Sequence, residues 1–299
     1  MWNQLKTVVL IGALSALVLG IGAALAPGHL SLFVVLALAM NLGAYFFSDR
    51  LVLAMHRAQE LDPTRAPELH AMVEELAQRA EIPTPRLYLI PEAQPNAFAT
   101  GRNPRHGVVA VTEGIIGLLS PRELRGVLAH EIAHIKNRDI LVSSIAAALA
   151  SIVTYVANAL TFAGLFGGRS EESEEGSGAG GMFLALVAPI AASLVQFGIS
   201  RSREYMADET GARLSGDPEA LASALLKLER RAELVPAESP QPATASLFIV
   251  NPIAGSGSLL RLFSTHPSTE ERVRRLRALT SAPGGAPLPV WGPTHLRGE

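Results

Sequence analysis

Ser120-Pro-Arg-Glu-Leu-Arg-Gly-Val-Leu-Ala-His-Glu-Ile-Ala-His134 is the stretch from which the rest of the chain can be read. Ser120 followed three residues later by Glu123 is the pattern of a capping box, and Pro121 falls at the first helical position, where its missing N–H costs nothing, so a helix opens there and runs on through Leu128. On that helix His130 and His134 stand at i and i+4, one turn apart on one face. Both imidazoles can reach a single metal ion while Glu131 points beside it. This is the spacing of zinc proteases, and with 8 His in 299 residues chance supplies only about 0.016 occurrences of it. A surface helix carrying two hydrogen-bonded histidines is the plain alternative.

Zinc held by two histidines needs a third protein ligand, with the fourth position left for water. The chain contains no cysteine, which excludes a disulfide scaffold, a cysteine nucleophile and a thiolate zinc site, and leaves His, Asp or Glu to complete the set. In Ser200-Arg-Ser-Arg-Glu-Tyr-Met-Ala-Asp208, Glu204 and Asp208 again lie at i and i+4. Glu204 is the candidate third ligand. Asp208 suits acceptance of the free N–H of a ligating histidine. On spacing alone, both also fit solvated helix charges paired with Arg201 or Arg203.

Outward from these motifs, charges are missing over lengths that a bilayer demands. Hydrophobic residues make up 48% of the chain, charged residues 17%, and mean hydropathy is +0.28, which argues against an ordinary soluble protein. No charge occurs between Lys6 and Asp49. Roughly 20 apolar residues cross a ~30 Å hydrocarbon core, so this run predicts two spans, Thr7 to Ala26 and Leu30 to Ser48, turning at Pro27-Gly28-His29. A cleaved signal peptide is the alternative for the first. Runs from Ile140 to Gly168 and from Gly176 to Ser200 predict two more, with Pro189 kinking the last. Lys6, Arg50, Arg57, Lys136, Arg138, Arg201 and Arg203 flank the spans on one side, which predicts both termini and the active site at the cytosolic face of a multi-pass protein in the cytoplasmic membrane. That hairpin topology also returns His134 and Glu204 to one membrane face.

The expected organisation is therefore a transmembrane hairpin over 1–48, a cytosolic catalytic region over 49–139, a second hairpin over 140–200 with an acidic outer loop at 169–178, a cytosolic region over 201–280 and a Pro/Gly-rich tail over 281–299. Within it, Asp49 to Leu61 is expected as helix at the membrane surface and Pro67 to Ala80 as an amphipathic helix. Arg86 to Ile90, Asn96 to Thr100 and Gly107 to Thr112 are expected as three short strands. Further helices are expected from Asp217 and over Ser268 to Leu279. A net charge of −2 with 5% aromatics offers no basis for nucleic-acid binding.

Taken together, Asn96-Ala-Phe-Ala-Thr-Gly101, His130-Glu-Ile-Ala-His134, Ser200 to Asp208 and Thr265-His-Pro-Ser-Thr-Glu-Glu-Arg272 resemble the integral-membrane zinc endopeptidases of the HtpX type, and more distantly the membrane CAAX-processing proteases. The resemblance implies an α+β membrane protein with four transmembrane helices and a mainly helical, zincin-like cytosolic catalytic domain containing a small β-sheet. It also implies one Zn2+ per chain on His130, His134 and Glu204. Glu131 would be the general base and His266 a stabiliser of the transition state assisted by Arg272. Asn96, Ala97, Phe98 and Ala99 would form an edge strand along which peptide substrates lie. The implied substrates are misfolded or damaged membrane proteins. A scaffold or metal-storage protein would have no need of Glu131, and a transporter would place ionisable residues at the centres of its spans.

Overall fold

The computed structural model describes residues 27–151, 201–235, 244–250 and 267–280, with scattered positions between 8 and 23. Leu30–Met55 forms one continuous helix, α1, of 26 residues. At 1.5 Å per residue it is about 39 Å long, enough to cross a bilayer. Leu32, Val35, Leu38 and Phe47 on it are exposed. Its inner face, at Ala37 and Ala44, packs on Val142, Ile145 and Leu149 of a shorter apolar helix over Ile140–Ser151.

Four strands make the sheet: β1 (Gln59–Glu60), β2 (Arg86–Ile90), β3 (Ala97–Thr100) and β4 (Val108–Thr112), in the spatial order β1-β2-β4-β3. β2 runs parallel to β4, and β3 is antiparallel to it, with Ala99 opposite Val109. Every residue of β4 is buried, as its unbroken apolar run requires of a central strand. Helix α2 (Pro67–Arg79) adds Leu69, Val73 and Leu76 to the same core, and a short helix α3 (Glu113–Leu118) follows β4, capped by the Thr112 side chain.

The helix opened by Ser120, α4 (Pro121–Lys136), is the axis of the domain. Both halves of the expected capping box form, and Glu123 in addition accepts hydrogen bonds from Ser223 and Lys227. Those partners lie on α7 (Pro218–Leu234), which Asp217 caps through the Ala220 N–H. With Ile140–Ser151 as α5, the remaining elements are α6 (Arg201–Ser215) and α8 (Thr269–Thr280). Two glycines let backbones meet: a Cβ at Gly211 of α6 would stand 2.8 Å from the His130 nitrogen, and one at Gly126 would stand 2.8 Å from that of Leu221. α4 is thereby wedged between the sheet, α6 and α7.

Two expectations are corrected. Among the described residues one helix, α1, is long and apolar enough to span a membrane, where four spans and a multi-pass protein with both termini and active site at the cytosolic face were expected. Of the expected third span only Ile140–Ser151, α5, is described, and it is largely buried, while 152–168 lie outside the described residues. The expected first span falls mostly, and the expected fourth span wholly, outside the described residues. The second correction concerns the surface helix expected over Asp49 to Leu61, of which 49–55 are helical and 56–61 are not. α1 ends at Met55, the chain reverses through Arg57 at φ 50°, and Gln59–Glu60 pair antiparallel with Leu89 and Tyr88. Pairing with β2 overrides the local helical pattern. The 169–178 loop, His266 and the 281–299 tail lie outside the described residues.

Candidate metal centre

α4 carries three of the site's groups, His130, Glu131 and His134, and the helix repeat sets their phase. The imidazoles of His130 and His134 meet edge to face with centroids 4.7 Å apart, which brings their Nε2 atoms to 3.2 Å. From α6, Glu204 faces both, with Oε1 3.5 Å from His134 Nε2 and Oε2 3.8 Å from His130 Nε2. The ligand atoms of all three residues lie within 4.8 Å of one another. Donors at 2.0–2.1 Å in a tetrahedron stand about 3.4 Å apart, so these separations, with two imidazoles and one carboxylate, fit a zinc ion.

Behind the ligands runs a buried network. His130 Nδ1 lies 2.9 Å from Asp208 Oδ1, and Arg272 donates to both oxygens of Asp208, from Nε at 2.8 Å and from Nη2 at 2.7 Å. Burial opposes ionisation of Asp208, but the Arg272 guanidinium outweighs it and holds the carboxyl down at about 2. On the other side His134 Nδ1 lies 3.4 Å from Asp139 Oδ2. Burial lowers the His130 ring to about 4, the neutral form that a ligand needs. Burial pushes the same way on His134, yet the Glu204 carboxylate prevails and raises that ring to about 9.

Glu131 is fully buried, which raises its carboxyl to about 7, and it accepts the Ala99 N–H. The cleft in front of it is lined by Ala99, Ser143, Ser246, Leu247 and Phe248 together with the ligands.

Of the four residues expected along the substrate, only Ala99 lines this cleft. Asn96 grips the 244–250 segment, its Nδ2 donating to Val250 O at 2.7 Å and its Oδ1 accepting the Val250 N–H at 3.3 Å. The Ile249 N–H occupies the outer edge of β3 at Ala97 O, 3.0 Å away. Phe98 turns into an aromatic cluster with His56 and Phe248. Arg272 is likewise committed behind His130, where its Nη1 also donates to Ile249 O at 3.1 Å.

Asp139 and the Ser246–Ile249 wall were missed in reading the sequence. The signals were slight: a carboxylate just past the C-terminus of α4, and the apolar run Leu247-Phe-Ile-Val250 after a Pro-rich loop.

A buried carboxyl beside a two-histidine, one-glutamate site, under the edge strand of a small sheet, defines a metal-dependent peptidase. The profile of peptidase family M48 matches residues 63–280. A protein named Protease HtpX homolog from Syntrophobacter fumaroxidans is 55% identical over 283 residues, 93% of this chain and all of that one. Proteins of the same name from Burkholderia thailandensis and Methylibium petroleiphilum are each 51% identical, over 92% and 93% of this chain and 96% and 98% of theirs. The chain belongs to the HtpX group of peptidase family M48 and is a zinc-dependent membrane protease acting on protein substrates. Among solved structures, the crystal structure of S. mikatae Ste24p aligns with TM-score 0.49 and 20% identity over 92% of this chain and 65% of that one, too slight a likeness to argue from.

Proposed function

We propose that one zinc ion per chain sits on His130, His134 and Glu204 and that the site hydrolyses peptide bonds of misfolded or damaged membrane proteins, a role in membrane-protein quality control. The convergence of three ligand atoms beside the buried Glu131 carries this reading. When bound, zinc supplies Lewis acidity that activates water and polarises the scissile carbonyl. Glu131 takes the proton of the attacking water and delivers it to the leaving amine, and because water is the nucleophile no acyl-enzyme forms. Asp208, held by Arg272, accepts the Nδ1–H of His130 and keeps its Nε2 turned to the metal. An extended peptide enters between Ala99 and the Ser246–Ile249 wall, where main-chain contacts admit many sequences. By family resemblance His266 donates a hydrogen bond to the developing oxyanion.

Glu131→Gln tests the assignment. Casein hydrolysis by the purified protein should fall by at least about 10²-fold, because proton transfer is lost, while close to one zinc per chain remains. Turnover retained at full metal occupancy would rule Glu131 out as the base.

A further inference from the structure

Each of the two histidines has a buried carboxylate at its Nδ1. His130 leads from Nδ1 to Asp208 and on to Arg272, all of it buried. His134 leads from Nδ1 to Asp139 Oδ2 at 3.4 Å, and the Asp139 side chain is 4% exposed. The first chain of groups joins α4 to α6 and α8, and the second joins α4 to the start of α5.

Asp139 reaches this position by a turn made for it. α4 ends at Lys136, Asn137 caps it, and Arg138 takes φ 57°, which folds the chain back beneath the last helical turn. The Asp139 N–H then bonds His134 O at 3.0 Å, so main chain and side chain of Asp139 both engage His134. Because the Nε2 atoms of both histidines face the ligand cluster, Nδ1 carries the proton in the ligating tautomer, and a carboxylate there fixes the ring and strengthens it as a donor.

We propose that Asp139 is a positioning residue for the metal centre, accepting the Nδ1–H of His134. The proposal rests on the reading of His134 as a zinc ligand. Its alternative is that Asp139 merely stabilises the turn between α4 and α5.

Zinc affinity of the purified full-length protein, measured by chelator competition, separates the two. Asp139→Asn preserves size and turn preference but removes the charge. It should weaken zinc binding about 10- to 100-fold, the usual cost of losing such a partner, and shift the visible bands of the cobalt-substituted protein. Zinc affinity within twofold of wild type and an unchanged cobalt spectrum in folded Asp139→Asn would overturn the role of Asp139. If Asp139→Asn does not fold, the zinc-loaded wild type labelled with 15N-histidine decides: both ligand rings should show a protected Nδ1–H, and protection confined to His130 would overturn the proposal. A wild type that binds no zinc would instead bring down the ligand assignment beneath it.

Discussion

Gly211→Ala probes how closely α6 must approach α4 for the metal centre to exist. Glu204, Asp208 and Gly211 fall at i, i+4 and i+7 on the face of α6 turned to α4. A Cβ at 211 would stand 2.8 Å from His130 N, 2.9 Å from His130 Cα and 3.1 Å from Ala129 C, and all three are backbone atoms that no rotamer change can move. Ordinary contact begins at 3.4 Å, so the helices must part by about 0.6 Å locally, at a cost of about 1–3 kcal/mol in stability. Metal–ligand distances tolerate only about ±0.2 Å, so the same displacement, carried along α6 to Glu204, should weaken zinc binding at least about tenfold. Chelator competition and a thermal melt in detergent read the two effects. Gly126→Ala is the matched control, since its Cβ would strike Leu221 of α7 instead, and it should lose comparable stability while holding zinc far more tightly than Gly211→Ala. A Gly211→Ala protein with wild-type melting and wild-type zinc affinity would refute the reasoning.

Glu204→Ala should lose both activity and bound metal, because two imidazoles alone hold zinc weakly; stoichiometric zinc by elemental analysis would send the search to another third ligand. His266→Ala should lower kcat by roughly 10²- to 10³-fold with zinc content and KM nearly unmoved, the cost of one oxyanion donor, and unchanged kcat would remove His266 from catalysis. The pH profile follows from Glu131. Burial raises its carboxyl to about 7, a bound cation draws it back down, and the base works ionised, so kcat/KM should fall tenfold per pH unit below an apparent pKa at or under about 7. Activity that stays flat to pH 5 would contradict that assignment.

The sequence by itself determined whatever depends on groups within a turn or two of one another. The capping box at Ser120, the phase that puts His130 and His134 on one face, the Asp217 cap and the apolar length of α1 are all of this kind, since helix geometry alone relates the residues. Tertiary structure decided what joins distant parts of the chain. Asn96 grips Val250 across 154 positions, where the motif suggested contact with substrate, and Arg272 reaches Asp208 across 64. Gln59–Glu60 became strand because β2 offered an edge, against a local pattern that continued the helix. Asp139 lies five residues from His134, yet only the left-handed turn at Arg138 aims its carboxylate at the ring. Such pairings depend on where the backbone is carried by the packing of α4 against the sheet, α6 and α7, and local periodicity holds no record of that position.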